Sequence, residues 1–253
     1  TTTEDFVEAF KETHFINGIP EEYGGSGDSS IPTAQGVLYA LEATNEHLFN
    51  SRDLGKRSYA IQGLGKVGYK VAEQLLEAGA KLFVTDINEA AILSIENYAS
   101  GTTGELKIVE SDEIYGVEAD IFVPCAMGGI INDETLKQLQ VKAVVGSANN
   151  QLSDNSIAEK LQQSGILYAP DFIVNAGGLI QVADELYGPN PKRVLAKTKT
   201  IYQSLLKIYQ QAEMDATTTT DAANQKVTHV LEEQKHRNNF FSRKRRPKWE
   251  VRE

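Results

Sequence analysis

The chain has 253 residues, of which 41% are hydrophobic, and it carries a formal net charge of -10 with a pI near 5.0. A chain of this size can bury a substantial core in one large domain or two small ones. Its acidic balance opposes binding to nucleic acid or to an anionic membrane surface, so we expect a small-molecule partner.

Several other classes of protein are disfavoured by the sequence. Its first residues lack the basic and apolar regions of a signal peptide, and it has no run of the roughly 18 to 20 apolar residues that a membrane helix needs, which predicts a cytoplasmic protein without membrane contact. Cys125 is the only cysteine, and the four histidines are widely separated, so we expect no internal disulfide and no metal site. The chain opens on Thr1, and its methionines lie at 127 and 214, which predicts a fragment of a longer protein.

The elements, taken in chain order, begin with a capped amphipathic helix in the first ten residues. A loop rich in Gly, Ser and Pro follows at 17–32, and a helical pattern covers 33–49. Short apolar runs predict strands at 58–62, 81–86, 107–110 (the weakest), 120–124, 143–147 and 166–169. Helical patterns lie at 66–78, 88–99, 132–139, 154–163, 176–187, 191–214 and 219–235. This alternation predicts an α/β fold of the Rossmann type, with a doubly wound, mostly parallel sheet, flanking helices and a helical C-terminal segment.

A glycine fingerprint connects the first predicted strand to a helix. Gly63 would permit a tight turn, Gly65 would let a pyrophosphate approach the backbone, and Gly68 would let helix and strand pack closely. Asp86 ends the next strand, where a carboxylate would accept hydrogen bonds from an adenosine ribose and repel a 2'-phosphate. The pattern therefore predicts a dinucleotide, with NAD favoured over NADP. FAD, which uses a similar fingerprint, and an ordinary glycine turn remain alternatives at this point.

Several segments resemble one known family. The segments GLGKVG, FVTDIN, PCAMGGIIND, GSANNQL and YAPDFIVNAGGLIQVADELYG are similar, in order and spacing, to those of the glutamate, leucine, phenylalanine and valine dehydrogenases. Within that family, the hinge INGIPEEYGGSGDSSIPTAQGV and the tail NNFFSRKRRPKWEVRE most resemble bacterial members that act on phenylalanine, and members that act on leucine come next. The resemblance implies oxidative deamination of L-phenylalanine to phenylpyruvate and ammonia with NAD, in a homo-oligomer.

The resemblance also implies a division of the chain and a set of site residues. We expect a remnant of the substrate domain and a hinge at 1–32, an NAD-binding Rossmann domain at 33–175, and a hinge helix, C-terminal helices and tail at 176–253. The residues expected to contact the cofactor are Ser29, Thr33, Gly63, Leu64, Gly65, Lys66, Val67, Gly68, Asp86, Ile87, Cys125, Ala126, Ser147, Ala148 and Asn149. The residues expected to contact the substrate are Asn149, Asn175, Leu179 and Val182.

Each of these roles has a structural alternative. Ser29 and Thr33 could cap a helix, Cys125 could be a small buried residue without chemistry, and either asparagine could be a turn residue. Leu179 and Val182 could form part of a core stripe. In the family's glutamate-specific members, a serine occupies the position of Val182. An apolar residue at this position therefore implies an apolar substrate side chain.

The family's catalytic lysine, in a GGGK segment, has no counterpart in the sequence, and no catalytic residue is assigned to this chain. Lys66 and Lys70 belong to the predicted nucleotide-binding helix. We therefore expect the chain alone to be nearly inactive. The alternatives are a leucine dehydrogenase and an inactive NAD-binding fragment. The basic residues from Arg243 to Lys248, with Phe240, Phe241 and Trp249, are expected to form a solvated or subunit-contacting tail.

Overall fold

A computed structural model describes residues 3–13 and 15–234. The predicted tail from 240 to 249 lies outside the described residues. Within them, none of the helices is both long and apolar enough to cross a membrane. The helices are α1 (Thr3–Glu12), α2 (Ser30–Phe49), α3 (Lys66–Glu77), α4 (Glu89–Ala99), α5 (Ser156–Gln163), α6 (Asp171–Val174), α7 (Ala176–Glu185), α8 (Pro191–Thr198), α9 (Thr200–Met214) and α10 (Thr219–Gln234). The strands are β1 (Ser58–Gln62), β2 (Lys81–Thr85), β3 (Glu105–Ile108), β4 (Ile121–Pro124), β5 (Ala143–Val144) and β6 (Leu167–Tyr168).

The six strands form one sheet in the order β3-β2-β1-β4-β5-β6. Every pair of neighbours is parallel. The chain winds outward from β1 to β3 and then returns to place β4 on the other side of β1, so the direction of winding reverses between these two central strands. The Rossmann-type α/β prediction is confirmed.

The core lies on both faces of this sheet because alternate residues of a strand point to opposite faces. Tyr59 and Ile61 of β1 belong to the larger buried cluster, which includes the apolar sides of α2, α3 and α9. Ala60 of β1 and Phe122 of β4 belong to the second cluster, which lies against α5. The central strand is thus covered on both faces, as its continuous apolar sequence predicts.

Two predicted helices differ from the structure. Residues 132–139 form successive turns and not a helix. The Asn132 side chain accepts from the backbone of Glu134 and Thr135, and the Thr135 hydroxyl donates to the Ile130 carbonyl at 2.6 Å. These side-chain bonds compete with the regular helical pattern, although the segment has helical apolar spacing.

The predicted helix at 191–214 is divided into α8 and α9 by a break at Lys199. On either side of the break, the hydroxyl of Thr198 donates to the Val194 carbonyl and that of Thr200 donates to the Lys197 carbonyl. Such bonds back to the preceding turn bend helices. Smaller differences are the start of α2 at Ser30 instead of 33 and the shortness of β5.

Candidate functional site

The candidate site lies at the carboxyl ends of β1, β4 and β5. The connection after β1 leads to β2 on one side, and the connection after β4 leads to β5 on the other side. The two connections therefore diverge at this edge, and a crevice opens between them. The residues that follow these strands are Gly63, Cys125 and the loop from Val145 to Asn150. A crevice at this position is where ligands bind in open parallel sheets.

The three fingerprint glycines have different surroundings. Gly63 has a φ of 97°, and a Cβ built on it would lie 2.8 Å from the Ala126 Cβ. A Cβ on Gly68 would lie 2.0 Å from the Gly63 carbonyl oxygen, so this glycine is required by packing. Gly65 has an ordinary φ of -67°, and a Cβ there would meet no atom within 4 Å. Neither conformation nor packing explains Gly65, which leaves space for a ligand in front of the α3 N-terminus.

Asp86 joins the end of β2 to the glycine loop. One carboxylate oxygen accepts from the Leu64 amide at 2.5 Å, and the other accepts from the Asn88 amide at 2.7 Å. The side chain is half-buried, and Ile87 beside it is 95% exposed. Each oxygen keeps a lone pair for a further donor, so Asp86 can shape the loop and still bind a ligand hydroxyl.

The β4 and β5 ends contact the glycine loop and each other. Cys125 packs against Gly68, and Ala126 packs against Gly63. Burial raises the pKa of the Cys125 thiol, although hydrogen bonding with Ser147 opposes the shift. A raised pKa disfavours the thiolate, so the half-buried Cys125 has the character of a neutral thiol. Leu64 and Ala148 are buried, which leaves mainly their backbone for contact with a ligand.

Asn149 and Asn175 meet although they are 26 residues apart in sequence. The Asn175 amide nitrogen donates to the Asn149 side-chain oxygen at 2.7 Å and to the Ser147 carbonyl at 3.2 Å. Both hydrogens of that nitrogen are thereby used. The remaining polar groups of the pair are the Asn149 NH2, a donor, and the Asn175 side-chain oxygen, an acceptor.

A buried glutamine, which the sequence analysis did not single out, holds this loop in place. Gln151 has no exposed surface, and its side-chain nitrogen donates to the carbonyls of Gly146 and Ala148 at 2.8 and 3.0 Å. Its backbone amide donates to Asp171 at 3.0 Å. No period or spacing in the sequence separates Gln151 from a solvated loop glutamine, because its partners are carbonyls of an irregular segment.

The hinge residues lie against the start of α7. The Thr33 hydroxyl donates to the Ser29 carbonyl at 2.7 Å, and a Cβ built on Gly178 would lie 2.7 Å from that hydroxyl. Ser29 makes no side-chain capping bond. On α7 itself, Leu179 is 72% exposed and Val182 is half-buried.

Direct contacts thus connect most of the predicted site residues. The glycine loop contacts Asp86, Cys125 and Ala126, and the asparagine pair contacts Ser147. Ser29 and Thr33 reach the same region through the α7 N-terminus. Leu179 and Val182 are connected to Asn175 by α7, which begins directly after it.

Comparisons with known proteins agree with this geometry. The family model for glutamate/leucine/phenylalanine/valine dehydrogenase matches residues 24–92 and 83–238. The phenylalanine dehydrogenase of Lysinibacillus sphaericus is 68% identical over the whole chain, which spans 66% of that protein's length. The leucine dehydrogenase of Geobacillus stearothermophilus is 42% identical over 92% of the chain, which spans 62% of that protein.

A solved structure extends the likeness to three dimensions. The crystal structure of L-tryptophan dehydrogenase from Nostoc punctiforme matches with a TM-score of 0.78 and 34% identity, covering 82% of this chain and 61% of that one. The sheet, the glycine loop and the extent of these matches lead to one conclusion. The chain belongs to the glutamate/leucine/phenylalanine/valine dehydrogenase family.

Proposed function

We propose that the chain is the cofactor-binding part of an NAD-dependent dehydrogenase that deaminates L-phenylalanine to phenylpyruvate and ammonia. The observation that carries this proposal is the 68% identity, over the whole chain, to a phenylalanine dehydrogenase. The open space at Gly65, in front of the first turn of α3, supports the cofactor part of the proposal independently.

The residues present fit a dinucleotide. The backbone amides at the start of α3 would bind the pyrophosphate, where the helix dipole also favours negative charge. Asp86 would accept from the adenosine ribose, and neither Ile87 nor Asn88 offers a cation to a 2'-phosphate. When bound, NAD supplies the acceptor for the hydride that leaves the substrate α-carbon.

The asparagine pair suits the two polar groups of an amino acid. We assign the Asn149 NH2 to the substrate carboxylate and the Asn175 side-chain oxygen to the substrate amino group, because the other halves of both amides are used within the pair. Leu179 and Val182 would then contact an apolar substrate side chain. The residues of this chain bind and orient the substrate, and we assign the proton transfer to none of them.

Leucine dehydrogenase is the second candidate within the family. The 42% identity to the Geobacillus stearothermophilus enzyme supports it, and the apolar pair on α7 suits leucine as well as phenylalanine. An NAD-binding chain without turnover is the candidate of a different class, since the sequence contains no GGGK segment.

Calorimetric titration of the purified chain with NADH and with NADPH tests the cofactor assignment. We expect NADH to bind at least tenfold more tightly, which corresponds to about 1.4 kcal/mol. Equal affinities for the two cofactors, or binding of neither by a folded chain, would contradict the proposal.

A chimera tests the substrate. The chain is joined behind the N-terminal third of the Lysinibacillus sphaericus enzyme, and NADH formation is measured with L-phenylalanine and with L-leucine. The matched control joins the same chain to the N-terminal third of the Geobacillus stearothermophilus leucine dehydrogenase. We expect the first chimera to turn over phenylalanine faster than leucine, and we expect the chain alone to be nearly inactive. A preference for leucine there would favour the second candidate, and no turnover of either substrate would favour the non-catalytic one.

We also propose that the working form is a homo-oligomer. Val227, Val230 and Leu231 lie at helical spacing on α10 and are between 42% and 61% exposed, which is unusual for three apolar residues on one helix face. Light scattering coupled to size-exclusion chromatography measures the subunit number directly. A monomer at every accessible concentration would refute the proposal.

A further inference from the structure

Helix α7 has two faces of different character. Its buried residues are Gly177, Gln181 and Glu185, which follow one another at intervals of four and therefore lie on one face. Leu179 and Val182 are more exposed and lie on another face. The rotation of α7 about its axis therefore decides what the second face presents to a ligand.

Glu185 holds the C-terminal end of the buried face against the hinge loop. One of its carboxylate oxygens accepts three hydrogen bonds, from the Gly18 amide at 3.0 Å, the Ser26 amide at 3.2 Å and the Ser26 hydroxyl at 2.8 Å. The donors are about 160 residues away in sequence, so this is a tertiary contact and not a helix cap. Glu185 is completely buried.

Gln181 adds a second contact one turn earlier. Its side-chain nitrogen donates to the Ser26 carbonyl at 2.6 Å and to the Gly27 carbonyl at 3.3 Å. At the start of the helix, a Cβ on Gly177 would lie 1.9 Å from the Pro32 carbonyl oxygen, so α7 and α2 touch backbone to backbone there. Both ends of α7 are thereby fixed to the segment from Gly18 to Thr33.

Stability alone does not account for an acid at position 185. Its second carboxylate oxygen is buried and has no hydrogen-bond partner in the described part of the chain. A buried polar atom without a partner costs free energy, and an unpaired buried charge costs more. The gain from this acid lies in its geometry, because one oxygen brings three donors of the hinge to a single point.

We propose that Gln181 and Glu185 are positioning residues, which fix the rotation of α7 so that Leu179 and Val182 face the substrate. This inference deepens the proposed function and rests on it for its kinetic part. The same contacts bring the hinge residues Ser29 and Thr33 to the α7 N-terminus, so one set of hydrogen bonds orients both the hinge and the substrate-facing side of α7.

Hydrogen exchange tests the contact itself, whatever the activity of the protein. Glu185→Ala in this chain should increase exchange of the Gly18 and Ser26 amides at least tenfold. The matched control is Asp184→Asn, one residue earlier, where the Asp184 carboxylate pairs with Arg193 and accepts from the Asn190 amide at 2.9 Å. It should increase exchange at Asn190 and leave Gly18 and Ser26 unchanged. The same exchange at Gly18 and Ser26 in both variants would overturn the proposal.

A milder variant keeps the test valid if Glu185→Ala fails to fold. Ser26→Ala removes one of the three donors and keeps the backbone bonds, so exchange of the Gly18 amide should rise by a smaller factor, roughly threefold. Unchanged exchange at Gly18 in a folded Ser26→Ala protein would overturn the proposal.

The chimera with the Lysinibacillus sphaericus segment tests the positioning role. Glu185→Ala should raise KM for L-phenylalanine roughly tenfold and reduce the preference for phenylalanine over leucine, because a displacement of about 1 Å at a binding residue has effects of this size or larger. The Kd for NADH should change less than twofold. Glu185→Gln, whose amide oxygen can accept the same bonds, should have a KM close to that of the parent chimera.

A lower melting temperature in Glu185→Ala, with KM and substrate preference unchanged, would mean that Glu185 has a structural role only. If the parent chimera has no activity, the proposed function fails while the exchange experiment still decides the contact.

Discussion

At the scale of single residues, Gly65 and Gly68 form a matched pair three positions apart. Gly65→Ala adds a methyl group to open space at an ordinary φ, and Gly68→Ala drives one into the Gly63 carbonyl. We expect Gly65→Ala to weaken NADH binding at least tenfold and to leave the free energy of unfolding unchanged within about 0.5 kcal/mol. Gly68→Ala should destabilise the fold by at least about 2 kcal/mol through overpacking. Calorimetry measures the NADH affinity, and urea unfolding measures the free energy of unfolding. Full NADH affinity in Gly65→Ala would contradict the placement of the pyrophosphate at this position.

Asp86 offers a second prediction at this scale. Asp86→Ala should weaken NADH binding and bring the affinities for NADH and NADPH closer together, since the carboxylate both accepts from the ribose and repels a 2'-phosphate. The variant also loses two loop contacts, so the ratio of the affinities is the informative quantity. The control is Asn88→Ala, which removes the α4 cap and should cost about 1 kcal/mol of stability with the ratio unchanged. An unaltered ratio in Asp86→Ala would end the ribose assignment.

At the scale of elements, sequence periodicity identifies the sheet and most of its helices. The strands β1, β2 and β4 have continuous apolar runs and appear within one residue of the predicted bounds. Periodicity fails at 132–139 and at Lys199, where Thr and Asn side chains bond to the backbone and decide the conformation locally. The spacing of apolar residues contains no information about such bonds.

The same limit applies to the candidate site. The glycine loop was identifiable because its conformational needs are local. Gln181 and Glu185, in contrast, bond to carbonyls and amides that are far away in sequence, and Gln151 bonds to nearby carbonyls of an irregular loop. A one-dimensional pattern does not show which polar residues are buried. The roles of the cofactor and substrate residues stay predictions, as does the division of the chain at 32 and 175.

The packing of α2 on α9 carries a prediction on stability. The hydroxyls of Thr44 and Tyr209 are 2.8 Å apart in the core, and both side chains are buried. Tyr209→Phe keeps the ring and removes one hydrogen bond, so urea unfolding should show a loss of about 1 kcal/mol. Tyr187→Phe, at a position that is 54% exposed, should leave the free energy of unfolding nearly unchanged. Equal stabilities of the two variants would mean that the buried bond contributes nothing net.

At the scale of the whole molecule, cofactor binding should be visible as stability. A ligand that binds only the folded chain adds about 2.7 kcal/mol at a concentration of 100 times its Kd. For a chain of this size, that corresponds to a rise in melting temperature of roughly 5 to 10 °C. Scanning calorimetry should show this shift with NADH and a smaller one with NADPH at the same concentration. Identical shifts with both cofactors would contradict the proposed selectivity.

The pairing of α2 with α9 also bears on how the chain is made. Thr44 and Tyr209 are 165 residues apart, so at about 5 to 20 residues per second a ribosome needs roughly 10 to 30 s to add the second after the first. During that interval, the side of α2 that later contacts α9 has no native partner. The nascent chain therefore exposes this side of α2 for many times longer than hydrophobic collapse takes. The cell's chaperones can bind it during that time.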